Sequence, residues 1–154
     1  MEIRKIPDDT WCFKYYNANP KNKRTGDCVV RAVSLAVGYS WDIVYSKLST
    51  LGRMNAECME SEAVYSEYLG YNGYFLQGAP KIKGTNKRYT GTQFAGILQE
   101  NNFEGTIVAH IGTHHIVTIK QGVFYDTWDC TDGAVGKVWV YDSDIQRFRS
   151  IFDK

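Results

Sequence analysis

Four cysteines and three histidines make up the chain's nucleophilic and imidazole side chains, and two of the histidines are adjacent, His114 and His115. Cys28 follows Gly26-Asp27 and opens the apolar run Val29-Val30-Arg31-Ala32-Val33. A thiol in the first turn of a helix lies at the positive end of the macrodipole. That position favours the thiolate, the form that attacks carbon. His115 stands directly before the alternating segment Ile116–Lys120, so a rigid strand holds its backbone while the ring stays free. A general base needs that setting within hydrogen-bond reach of its nucleophile. Asp126, in Tyr125-Asp126-Thr127-Trp128-Asp129, supplies a carboxylate that can fix the imidazole tautomer.

The spacing of these residues is informative. Gln121-Gly122 reads as a tight turn between two strands. Folding the chain there sets Asp126 near Val117 and His115 near residue 128. His115 and Asp126 are then two register positions apart, within reach if the hairpin twists or carries a bulge. Trp128 would shield their hydrogen bond from water. His114 is the rival base, but alternation sends it to the face opposite His115. Arg31, one helical turn after Cys28, is positioned to pair with Asp27. Cys130 follows the Asp126 strand closely, and a metal held by Cys28, His115 and Cys130 is the minor alternative; Cys12 and Cys58 read as structural.

The elements that must carry these residues can be read from pattern. Residues 11–25 form a polar loop with a turn at Asn19-Pro20. A buried helix starts near Gly26, with Thr25 or Asp27 as N-cap, and stops at Gly38. Ser40 caps a second helix with the stripe Trp41, Val44, Tyr45 and Leu48, ended by Gly52. A third covers residues 59–69. A short strand lies at Tyr74–Gln77, and the loop 78–91, containing Gly84, Thr85 and Gly91, is placed to flank a cleft. Thr92 caps a helix to about Asn101. Strands follow at Thr106–Ile111, His115–Lys120, Val123–Trp128 and Lys137–Tyr141. Helices first and an antiparallel sheet afterwards define an α+β domain.

Composition bounds the remaining classes. The 154 residues suit one domain, with 44% hydrophobic and 23% charged residues. Net charge is +1, and the basic groups at Lys21, Lys23, Arg24 and at Lys81, Lys83, Lys87, Arg88 read as solvated loops, so no nucleic-acid partner is expected. No C-x-x-C pair occurs, so neither a structural zinc nor any other cofactor is expected. Met1–Asp9 carries no apolar leader, and no run approaches the roughly 18 apolar residues needed to span a bilayer. A cytosolic setting with reduced cysteines follows as the expectation.

The segments Gly26-Asp27-Cys28-Val29-Val30-Arg31-Ala32, His115-Ile116-Val117-Thr118-Ile119 and Tyr125-Asp126-Thr127-Trp128-Asp129 resemble, in order and setting, the papain-like cysteine peptidase superfamily, especially the C39-like peptidases and related small phage or bacterial cysteine hydrolases. The resemblance spans residues 17–129. It implies a papain-like fold, with the nucleophile at the start of a central helix packed on the sheet. It implies Cys28 as nucleophile, His115 as base, Asp126 as orienter, and a protein or peptide substrate in the cytoplasm of a bacterium or phage-infected cell. Relatives carry a side-chain amide shortly before the nucleophile as oxyanion donor. This chain has no Gln there, and Asn22 and Asn19 rank level for that role, with Asn17 further back. Two other functions stay open: a catalytically silent module that binds or inhibits a partner protein, and a transglutaminase- or deamidase-like acyl transfer on Gln.

Overall fold

The computed structural model describes residues 5–153, so part of the amino-terminal segment read for a leader lies outside the described residues. Five helices pack on both faces of one six-stranded mixed sheet, an α+β architecture.

The first strand, β1 (Phe13–Tyr15), lies within the segment expected to be all loop. It is followed by α1 (Cys28–Val37), α2 (Trp41–Met54), α3 (Glu62–Tyr71), β2 (Tyr74–Gln77) and α4 (Gly91–Glu100). Then come β3 (Thr106–Ile111), β4 (His115–Lys120), β5 (Val123–Asp126), β6 (Val135–Tyr141) and α5 (Ile145–Phe152). The strand order is β1-β5-β4-β3-β6-β2. Every pairing is antiparallel except β1 on β5, so the expected antiparallel sheet is corrected to a mixed one.

Strand alternation divides the core in two. Val108, Ile116 and Trp139 face α1, α2 and α3, where Val33, Val44, Leu48 and Leu69 are fully buried. Ile107, Ala109, Val117, Ile119 and Phe124 face the other way, onto Phe94 and Leu98 of α4 and Phe148 of α5. Each such large side chain contributes about 1.5–3 kcal/mol on burial. Thr118, also on the α1 side, donates its hydroxyl to the Ala32 carbonyl at 2.5 Å and ties β4 to the middle of α1.

Three helices depart from their expected bounds, and α3 spans Glu62–Tyr71 rather than 59–69. α2 runs through Gly52, whose missing Cβ admits the Glu57 carbonyl at 2.9 Å; the glycine serves close packing rather than termination. In the same helix Tyr45 is exposed and stacks on Trp41 at 5.0 Å, so it does not belong to the buried stripe. α4 is capped by Thr90, not Thr92, in a reciprocal capping box with Gln93. Gln121 and Gly122, both at positive φ, form the expected turn between β4 and β5.

Among the described residues no single helix is long and apolar enough to cross a membrane.

Candidate active site

Cys28 is the first residue of α1. Asp27 holds the N-cap position, but its carboxylate makes no capping bond. It accepts instead from Asn19 Nδ2 at 3.1 Å, Arg31 Nε at 2.8 Å and Trp41 Nε1 at 2.9 Å. The loop, α1 and α2 therefore meet at one buried carboxylate beside the thiol. The residue that opens the helix is held by three partners rather than by a frayed turn.

His115 opens β4 and Asp126 closes β5. The ladder pairs Thr118 with Tyr125 and Ile119 with Phe124, the register read from the turn. Val117, Ile119 and Phe124 share one face, so His115 and Asp126, each two positions along, share it too. His115 Nε2 and Asp126 Oδ2 are in direct hydrogen-bond contact. That bond leaves Nδ1 as the ring nitrogen free for Cys28.

The Asp126 carboxylate is 2% exposed and saturated with donors. Arg31 Nη1 and the Thr127 amide reach Oδ1 at 2.8 and 2.7 Å, while the Cys130 thiol approaches Oδ2 at 3.5 Å beside His115. Burial pushes its pKa up, but His115 and Arg31 outweigh that and hold it below the ordinary carboxylate value. Arg31 thus pairs with Asp27, as expected, and with Asp126 as well.

The electrostatics favour a charged pair. For Cys28, burial opposes ionisation, but a hydrogen bond from His115, the Ile116 backbone N–H and the charges of His115 and Arg31 lower the pKa below the ordinary thiol value. For His115, burial works against protonation, but bonds to Asp126 and Cys28 and the charges of both raise it from 6.5 to about 9. A thiolate facing an imidazolium, with the ring held on a carboxylate, is the activated state of a cysteine nucleophile. The Trp128 ring lies against His115 at 4.7 Å, inclined by 48°, with 49% of its own surface exposed.

Cys28 stands between two surface depressions. The larger, about 670 Å³, is lined by Arg24, Thr25, His115, Thr127 and Trp128. The second, about 320 Å³, is lined by Glu62, Tyr65, His110, His114 and Ile116. His114 is exposed on that second side, while His115 takes the Asp126 contact.

Two expectations are corrected. Neither Asn19 nor Asn22 lines either depression. Asn19 is buried, its amide nitrogen given to Asp27 and its oxygen accepting from the backbone N–H groups of Lys21 and Lys23. Asn22 is exposed at a φ of 55°, a turn position. Asn17 likewise serves the loop, donating to the Lys23 carbonyl. The loop 78–91 is absent from both depressions; residues 78–81 pack beside Phe148 and Phe152.

Ligand atoms of His115, Asp126 and Cys130 lie within 4.8 Å of one another, a set that replaces the expected Cys28–His115–Cys130 grouping. In this structure the three groups bond one another and Arg31: Asp126 accepts from His115, Arg31 and the Cys130 thiol, and burial with the charge of Asp126 raises the Cys130 pKa. Sequence reasoning passed over Tyr65, His110 and Glu62. Only the third histidine, inside an apolar strand, carried any signal for them.

No protein-family model, curated protein or solved structure matches the chain.

Proposed function

We propose that this chain is a cysteine-dependent hydrolase of the papain-like kind, cleaving a peptide or isopeptide bond through Cys28, His115 and Asp126. The supporting observation is that Cys28 and His115 line one depression, where the His115 ring bonds a carboxylate that is itself buried and held by Arg31.

The chemistry follows from that arrangement. The Cys28 sulfur attacks the substrate carbonyl, the new C–S bond forms, and the π pair moves onto oxygen. As the tetrahedral centre collapses, the C–N bond breaks and the leaving amine takes the proton from His115. Water then attacks the acyl-enzyme and gives a proton to His115; the C–S bond breaks, the carboxylic acid product leaves, and the sulfur keeps the electron pair as the thiolate beside the imidazolium. Asp126 keeps the ring oriented through both halves and balances the imidazolium charge. Each proton passes through His115, so the sequence draws on no cofactor.

Alkylation tests the reading directly. With limiting iodoacetamide at about pH 6, where ordinary thiols are protonated, the label should fall on Cys28 rather than on exposed Cys58. A peptide mixture should be cleaved by the native protein and left whole by Cys28→Ala. Uniform labelling of all four cysteines, or cleavage that survives Cys28→Ala, would sink the proposal. Ammonia release from Gln side chains without chain cleavage would move it to the deamidase class.

A further inference from the structure

Amide hydrolysis needs donors for the oxygen that becomes negative in the tetrahedral intermediate. The Cys28 backbone N–H is one, since first-turn amides have no intrahelical acceptor. The asparagines that precede Cys28 do not reach the site, and the second donor must come from elsewhere.

The second depression beside Cys28 contains a candidate. Tyr65 of α3 is 2% exposed, and its hydroxyl lies 2.6 Å from His110 Nε2. His110 sits on β3 where the register with β6 shifts between Ala109 and Ile111, an irregularity that re-aims a side chain. His110 Nε2 is also 3.4 Å from Glu62 Oε1. Burial first, with Lys137 and His114 adding and Glu62 opposing, keeps the His110 pKa below the ordinary imidazole value, so the ring is neutral with one proton to place. A nitrogen facing both a carboxylate and a hydroxyl is the one that carries it. His110 therefore donates to the Tyr65 oxygen. That bond to His110 is the Tyr65 hydroxyl's hydrogen bond among the described residues, so its own proton stays available, and Tyr65 lines the depression it shares with Cys28. Lys137 holds the other Glu62 oxygen at 2.9 Å and fixes the arrangement from outside.

Resting on the hydrolase reading, we infer that Tyr65 is the oxyanion donor of this site, with His110 and Glu62 as positioning residues that keep its hydroxyl proton available. The donor is a phenol on a helix across the cleft, replacing the loop amide that stands before the nucleophile in the family this chain resembles.

The test separates attack on a carbonyl from attack on a saturated carbon. p-Nitrophenyl acetate acylates a thiolate through an oxyanion: the C–S bond forms, charge builds on the carbonyl oxygen, and p-nitrophenolate leaves with its electron pair. Iodoacetamide alkylates by displacing iodide and builds no oxyanion. Tyr65→Phe should slow acylation of Cys28 by about 10²-fold while leaving the iodoacetamide rate and its pH profile unchanged. Glu62→Ala removes a half-exposed carboxylate, lets His110 place its proton on the other nitrogen, and so ties up the Tyr65 hydroxyl; acylation should fall several-fold, again without change in alkylation. Equal rates in native protein and Tyr65→Phe would overturn the assignment, as would a parallel loss of both reactions, which would make Tyr65 a support of the thiolate. A native protein alkylated at Cys28 but never acylated would instead remove the hydrolase reading and this inference with it.

Discussion

Arg31 Nη1 donates to Asp126 Oδ1 at 2.8 Å, across 95 positions of sequence, and both side chains are buried. Through Nε the same guanidinium holds Asp27. The carboxylate that precedes Cys28 and the one that bonds His115 thus share a single cation.

Removing that cation strands two buried carboxylates. Arg31→Met should destabilise the fold by about 3–5 kcal/mol, the usual cost of breaking a buried pair. Arg31→Lys should recover only part of the loss, since an ammonium lacks the planar fork that reaches both acids. Urea unfolding followed by tryptophan fluorescence measures both, and a loss near zero for Arg31→Met would refute the bridging role.

Stability should also depend on alkaline pH. The folded pKa of His115, about 9, is above its ordinary 6.5. Its contribution is therefore complete below pH 6.5 and is lost as pH rises through about 9. Cys28 has the opposite sign: its folded value is depressed, so its contribution is complete above 9.0 and fades as pH falls through that folded value. The two oppose each other below pH 9.0, so the His115 part shows as a difference: the unfolding free energy lost on His115→Gln should be largest below pH 6.5 and should shrink as pH rises through about 9. Proposed hydrolysis should show the same alkaline limb.

Trp128 lies against His115 at 4.7 Å with the rings inclined by 48°. An indole face attracts a cationic ring by about 0.5–1 kcal/mol at a partly exposed site. Trp128→Ala should lower the His115 pKa by less than about one unit, since one unit is about 1.4 kcal/mol. Titration of the His115 ring protons by NMR measures the shift, and an unchanged value would assign Trp128 to substrate contact alone.

Gly91 begins α4 against the loop that follows Asp126. A Cβ there would meet Thr131 Cα at 2.8 Å and the Thr131 carbonyl at 2.9 Å, both backbone. Gly91→Ala should cost about 1–3 kcal/mol as an overpacked site, and it should disturb the neighbouring Cys130 and Asp126 more than the distant α2. Thermal unfolding and amide exchange report the two effects separately.

What could be read from the chain alone was what repeats with a period. The β3 and β4 boundaries and the turn follow from alternation, and with them comes the His115–Asp126 diagonal, although β5 ends at Asp126 rather than at Trp128. β1 was hidden because three residues, Phe13-Lys14-Tyr15, are too few to show a period, and its partner lies far along the chain. α5 did show its signal in Ile145, Phe148 and Phe152, one face at helical spacing, but it follows a strand closely and is short. The loop asparagines misled because type and spacing say nothing of orientation: Asn19 turns inward to Asp27. Tyr65 and His110 became visible only through the crossing of α3 over β3, which no local pattern encodes.

The parallel pairing of β1 with β5 sets an order of assembly. Tyr15 aligns with Asp126, and the Tyr16 amide donates to the Asp126 carbonyl at 2.9 Å. β1 precedes β5 by more than a hundred residues, so it has no strand to pair with until β5 emerges. During most of synthesis the Cys28 thiol lacks its histidine and carboxylate, and the nascent chain carries an ordinary cysteine. The pairing of Cys28 with His115 and Asp126 is thus completed late, with the closing of the sheet edge.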